Sequence, residues 1–122
     1  MDEPLRILAV DNEPSVTLSL QFAFAPPRYE ILTVESGAAA LARIEDKADF
    51  DVIIVDQKMP NQTGVELVAA LRARGVASKI IVLSAHVSSD VREVYEGLQV
   101  YAIFSKPFDL GELRAAVERI AA

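Results

Sequence analysis

Residues 52–60 read VIIVDQKMP: four consecutive aliphatic side chains, then a carboxylate, then a turn closed by proline. A run that is apolar on both faces suits a strand in a parallel sheet covered by helices on each side, because a half-solvated strand would alternate apolar with polar. Ile7 to Val10, Ile80 to Leu83 and Val100 to Phe104 share this character, and Tyr29 to Val34 is a more polar fifth stretch. Helical punctuation lies between them. Ser36-Gly37 opens an Ala-rich stretch to Ile44, and Thr63-Gly64 opens Val65 to Arg74 with Gly75 as its stop. Asp109-x-x-Glu112 reads as a capping box before Leu113 to Ile120. Five alternations of strand and helix imply right-handed crossovers and a doubly wound, three-layer α/β/α sandwich around a five-stranded parallel sheet.

One segment conflicts with its neighbours. Val16, Leu18, Leu20, Phe22 and Phe24 alternate with Thr17, Ser19, Gln21 and Ala23, which is the period of a strand. Two adjacent parallel strands nevertheless need a crossover between Val10 and Tyr29, and Pro14 is acceptable in the first turn of a helix. The segment is therefore expected to be helical. At 100° per residue Val16, Leu20, Ala23 and Phe24 share one face, which leaves Leu18 and Phe22 pointing elsewhere.

The chain has 122 residues, 52% of them hydrophobic. It fits one domain spanning residues 1–122 that buries about two-thirds of the surface exposed by its unfolded chain. It has no apolar run near the roughly 20 residues of a membrane span and no basic-then-apolar leader before Leu5, so a cytoplasmic protein without membrane association is expected. Zero cysteines exclude disulfides and thiolate metal sites, and the single His86 cannot build a zinc site alone. A metal here must be held by oxygen. The net charge of -6 and the dispersal of the twelve Lys and Arg argue against direct nucleic-acid contact, which needs clustered cations.

Doubly wound sheets bind ligands outside the carboxyl ends of their strands. The residues just past those ends are Asp11, Asn12 and Glu13, then Asp56, Ser84 and Lys106. The apolar run thus fixes the Asp56 carboxylate at the crevice. Crowded carboxylates repel one another and call for a hard cation, while Lys106 and the Ser84 hydroxyl suit the oxygens of a phosphoryl group. Together these groups suggest phosphoryl transfer to an Asp. A turn-forming Asp56, an N-capping Asp11 or Asn12, and a solvated Lys106 are the plainer alternatives.

With these residues in place, the chain resembles the receiver domains of bacterial two-component response regulators from about Arg6 to Ile120. The motifs are VDNEP at 10–14, DQKMPNQTG at 56–64, LSA at 83–85 and KPF at 106–108. Each is weak alone, and the four in order are specific. The resemblance implies a flavodoxin-like fold, with Asp56 as phosphoacceptor and Mg²⁺ held by Asp11, Asn12, Asp56 and the Lys58 backbone carbonyl. It further implies Ser84 as a switch hydroxyl, Lys106 as the phosphate-pairing lysine and a cis Lys106-Pro107 bond. Two positions depart from the family pattern: Asn12 stands where a second acid is usual, and Ile103 where an aromatic switch residue is usual. Tyr101 is expected two residues earlier on the same strand face.

The resemblance also implies partners: a sensor histidine kinase or histidine phosphotransfer protein, and an unknown output domain or protein. The face formed by the fourth helix, fifth strand and fifth helix, with Tyr95, Tyr101 and Ile103, would carry the response, muted by the missing aromatic at Ile103, or a weak homodimer; plain core packing is the alternative for these three side chains. Leu18 and Phe22 would add an apolar docking patch on the first helix. Such a domain is a switch and not an enzyme turning over an independent substrate. A constitutive pseudo-receiver is the alternative, against which Asp56, Ser84 and Lys106 argue. An aspartyl-phosphate hydrolase would want an acid where Lys58 stands, and a flavin carrier would not want an acidic loop after its first strand.

Overall fold

The computed structural model describes residues 3–45, 49–59 and 61–121. Strands and helices alternate as β1 (Leu5–Val10), α1 (Pro14–Ala23), β2 (Tyr29–Val34), α2 (Gly37–Glu45), β3 (Val52–Asp56), α3 (Gly64–Ala73), β4 (Lys79–Ser84), α4 (Ser89–Gly97), β5 (Ala102–Ser105) and α5 (Leu110–Ala121). All strands are parallel in one sheet of order β2-β1-β3-β4-β5. The order reverses between β1 and β3, which opens a crevice beyond their carboxyl ends.

The pleat of β3 explains its composition. Ile53 and Val55 join Leu8, Val10, Ile80 and Val82 beneath α2, α3 and α4. Val52 and Ile54 join Ile7, Ala9, Ile81 and Leu83 beneath α1 and α5. Successive side chains enter opposite layers, and each fully buried aliphatic contributes about 1.5–3 kcal/mol.

The segment with strand-like alternation is helical, as topology requires. Its polar residues fold back onto the helix: the Thr17 hydroxyl donates to Pro14 O (3.1 Å) and the Ser19 hydroxyl to Ser15 O (2.9 Å). Leu20 and Phe24 are fully buried, whereas Leu18 and Phe22 are 64% and 91% exposed.

Three local expectations are corrected. Val100 and Tyr101 precede β5 rather than starting it, because Gln99 takes a left-handed φ of 60° and the ladder begins with Ala102 opposite Ile81. The Arg72 guanidinium holds that turn through Leu98 O (2.9 Å) and Gln99 O (3.1 Å). Tyr101 is thus exposed and outside the strand face assigned to it. The reciprocal capping box belongs to Thr63 and Glu66 on α3. At α5, the Asp109 carboxylate accepts from Glu112 N (3.0 Å), half of the box expected there.

Candidate functional site

Among the described residues, the buried polar or charged ones are Asp11, Asp56 and Ser84, and all three stand at or just past strand ends bordering the crevice. The backbone N–H of Asp11 donates to Val34 O (3.1 Å), which carries it one residue beyond β1. Its carboxylate then accepts from the Glu13 N–H (2.9 Å). Glu13 is the N-cap residue of α1 but makes no side-chain cap bond. The capping alternative for Asp11 therefore does not hold, since Asp11 closes a turn ahead of the helix instead.

Lys106 ties the crevice together. Its backbone N–H donates to Ser84 O (2.7 Å), and its peptide bond to Pro107 is cis. Its ammonium lies 3.2 Å from Asp56 Oδ1, 3.5 Å from Asp11 Oδ2 and 3.1 Å from Glu13 Oε1. Three carboxylates thus face one cation. Burial, with the charges of Asp56 and Glu13, raises the Asp11 pKa to about 6, against the lowering effects of the Glu13 N–H and Lys106. Burial works to lower the Lys106 pKa, but the bond to Glu13 and the charges of Asp11 and Asp56 outweigh it and hold the ammonium above its usual range.

Two oxygens remain without a hydrogen bond although buried: Asp11 Oδ2 and Asp56 Oδ2. Carboxylate oxygens of Asp11, Glu13 and Asp56 all lie within 4.8 Å of one another. Hard oxygen donors in excess of positive charge, with orphaned lone pairs among them, fit a hard divalent cation such as Mg²⁺.

The residues singled out from the sequence separate into groups. Asp11, Asp56 and Lys106 converge. Ser84 borders them, its hydroxyl donating to His86 O (2.8 Å) and accepting from His86 N (3.2 Å). Asn12 and Lys58 are exposed. Lys58 reaches Asp56 through its backbone N–H (3.3 Å), while the ammonium paired with that carboxylate belongs to Lys106. Tyr95 is fully buried, in agreement with its core-packing reading, and its hydroxyl donates to Gln57 Oε1. Ile103 is half-buried against the core on the α2, α3 and α4 side. Glu13, in the acidic loop after the first strand, also pairs with a lysine 93 residues away, a contact that sequence reasoning missed.

Residues 7–118 match the model of the response regulator receiver domain. The chain belongs to that family. Sporulation initiation phosphotransferase F of Bacillus subtilis is 27% identical to this receiver domain over 93% of the chain and 91% of the relative. The transcriptional regulatory protein KdpE of Mycobacterium tuberculosis is 33% identical over 93% of the chain, which spans only 51% of that regulator. Among solved structures, the chemotaxis response regulator CheY4 of Vibrio cholerae superposes with a TM-score of 0.85 at 30% identity, covering 96% of this chain and 98% of that one. The response regulator TrrA of Thermotoga maritima, solved in complex with Mg²⁺-BeF, gives 0.80 at 31% identity over 95% and 98%. The flavodoxin-like fold read from the sequence is the fold of this family. No helix among the described residues is long and apolar enough to cross a membrane.

Proposed function

We propose that this receiver is a single cytoplasmic switch domain that takes a phosphoryl group onto Asp56 from a phosphohistidine on a kinase or phosphotransfer protein. The observation that carries this is the state of the Asp56 carboxylate. Buried at the end of β3, it has one oxygen 3.2 Å from the Lys106 ammonium and the other without a hydrogen bond. An Asp56 oxygen attacks phosphorus, the phosphorus–nitrogen bond of the donor breaks, and its electron pair stays on the imidazole. Lys106 holds a phosphoryl oxygen as charge builds there.

Asp11 and Asp56 would hold Mg²⁺, with Asn12, the Lys58 carbonyl and Glu13 as further oxygen donors. When bound, the ion would neutralise charge on the transferring oxygens. Ser84 would give up its bond to His86 and donate to the phosphoryl group. Incubation with acetyl phosphate and Mg²⁺, read by intact mass, should add one phosphoryl group to the wild type and none to Asp56→Asn. Incorporation that survives in Asp56→Asn would refute the assignment.

A further inference from the structure

Tyr95 is the largest of the fully buried side chains and the one residue of α4 that is buried. The remainder of α4 sits over the sheet with its polar residues in solvent, and Val94 is 46% exposed. A phenylalanine would fill the same core volume without a polar atom to satisfy, so the hydroxyl is the part that needs a reason.

That hydroxyl reaches the residue next to the phosphoacceptor, where it donates to Gln57 Oε1. Gln57 is already fixed by its backbone: its N–H donates to Leu83 O (2.9 Å) and its carbonyl accepts from Gly64 N (2.9 Å). One residue thereby joins β4, the start of α3 and, through Tyr95, α4 to the turn that begins at Asp56. The chain makes room for this reach. A Cβ at position 64 would lie 2.6 Å from the Tyr95 hydroxyl oxygen, 2.9 Å from Gln57 Cα and 3.0 Å from Asp56 O. Burial, and then the negative charge of Asp56, raise the Tyr95 pKa, so the phenol remains a donor.

We infer that Tyr95 is the positioning residue that transmits the state of Asp56 to α4, through the hold of its hydroxyl on Gln57. This rests on the phosphoacceptor reading above. Added charge and ligation at Asp56 strain the turn from Asp56 to Lys58, Gln57 shifts with it, and the single buried anchor of α4 follows. By linkage, a partner bound to α4 alters the free energy of the modified Asp56 site by the same amount.

The test follows amide signals on adding beryllofluoride and Mg²⁺ to the wild type, Tyr95→Phe, Gln57→Leu and the double variant. In the wild type, signals near Asp56 and Ser84 and those of Ser89 to Gly97 should move. In each single variant the α4 response should fall by about half or more while that near Ser84 persists, and the double variant should lose no more than either single one. A residue that merely fills the core would leave transmission intact when its ring is kept. Undiminished α4 movement in Tyr95→Phe or in Gln57→Leu overturns this inference alone. A wild type silent near Asp56 and Ser84 overturns the phosphoacceptor reading and this inference together.

Discussion

Replacing Lys106 with Met should destabilise the metal-free domain in a manner set by pH and reversed by Mg²⁺. Lys106 is largely buried, its side chain 17% exposed, and faces Asp56 at 3.2 Å and Asp11 at 3.5 Å. At an effective dielectric near 20, each of those pairs is worth about 5 kcal/mol of Coulomb energy before the desolvation of three charged groups is subtracted. Removing one member of a buried ion pair typically costs about 3–5 kcal/mol, because the remaining charge is left uncompensated. Here Asp11 limits the cost by taking a proton, since its pKa already stands at about 6 with Lys106 present. We expect a net loss of about 2–3 kcal/mol at neutral pH. The sign with pH follows from Asp11. Its folded pKa exceeds its unfolded value of about 3.9, so the folded state binds a proton that the unfolded state lacks, and stability falls as pH rises through that window. Loss of the lysine raises the folded pKa further and extends the window upward. The deficit of Lys106→Met should therefore be largest near pH 8 and shrink by more than about half near pH 5. Urea unfolding followed by circular dichroism, in chelator and in saturating MgCl₂, measures both dependences. A deficit equal at the two pH values and indifferent to Mg²⁺ would show that the lysine contributes only its aliphatic stem, and would refute the electrostatic account of the crevice.

Other outcomes follow from the same geometry. Asn12→Asp should tighten Mg²⁺ binding, read from amide shifts near Asp56, and unchanged or weaker affinity would remove position 12 from the ion. Gly64→Ala should cost about 1–3 kcal/mol in urea unfolding, and adding Tyr95→Phe should recover only a minor part, because two of the three close contacts are with backbone atoms. Leu18→Ser with Phe22→Ser should slow phosphoryl transfer from a cognate kinase, leave labelling by acetyl phosphate unchanged and shift stability by less than about 0.5 kcal/mol per site, since both side chains are exposed.

The parts of this molecule legible in its sequence are those fixed by local period and by strand ends. Four apolar runs and a more polar fifth mark the sheet, and the carboxylate closing the run Val52 to Val55 marks the position of Asp56. The first helix shows where that reading fails. Its residues alternate as a strand would, and the conflict was resolved only by the crossover that two parallel neighbours demand. The structure supplies the local reason, since Thr17 and Ser19 bond back to carbonyls of their own helix and so are accommodated on it.

The contacts that the sequence did not reveal are long-range and polar. Lys106 meets Glu13 across 93 positions, Tyr95 meets Gln57 across 38, and Arg72 meets Leu98 across 26. Periodicity assigns a side chain to a face but says nothing about which loop it touches once that face is packed. Core packing is accordingly legible for Tyr95, whereas its bond to Gln57 is not. Two of these contacts act on the same element. Arg72 binds the carbonyls that follow α4, and Tyr95 anchors its body beside Asp56. The Arg72 contact fixes the carboxyl end of α4 to the end of α3, so displacement at Gln57 should turn the helix about that end rather than translate it. Movement should then be greatest near Ser89 and least near Gly97, in the order set by distance from the Arg72 clamp.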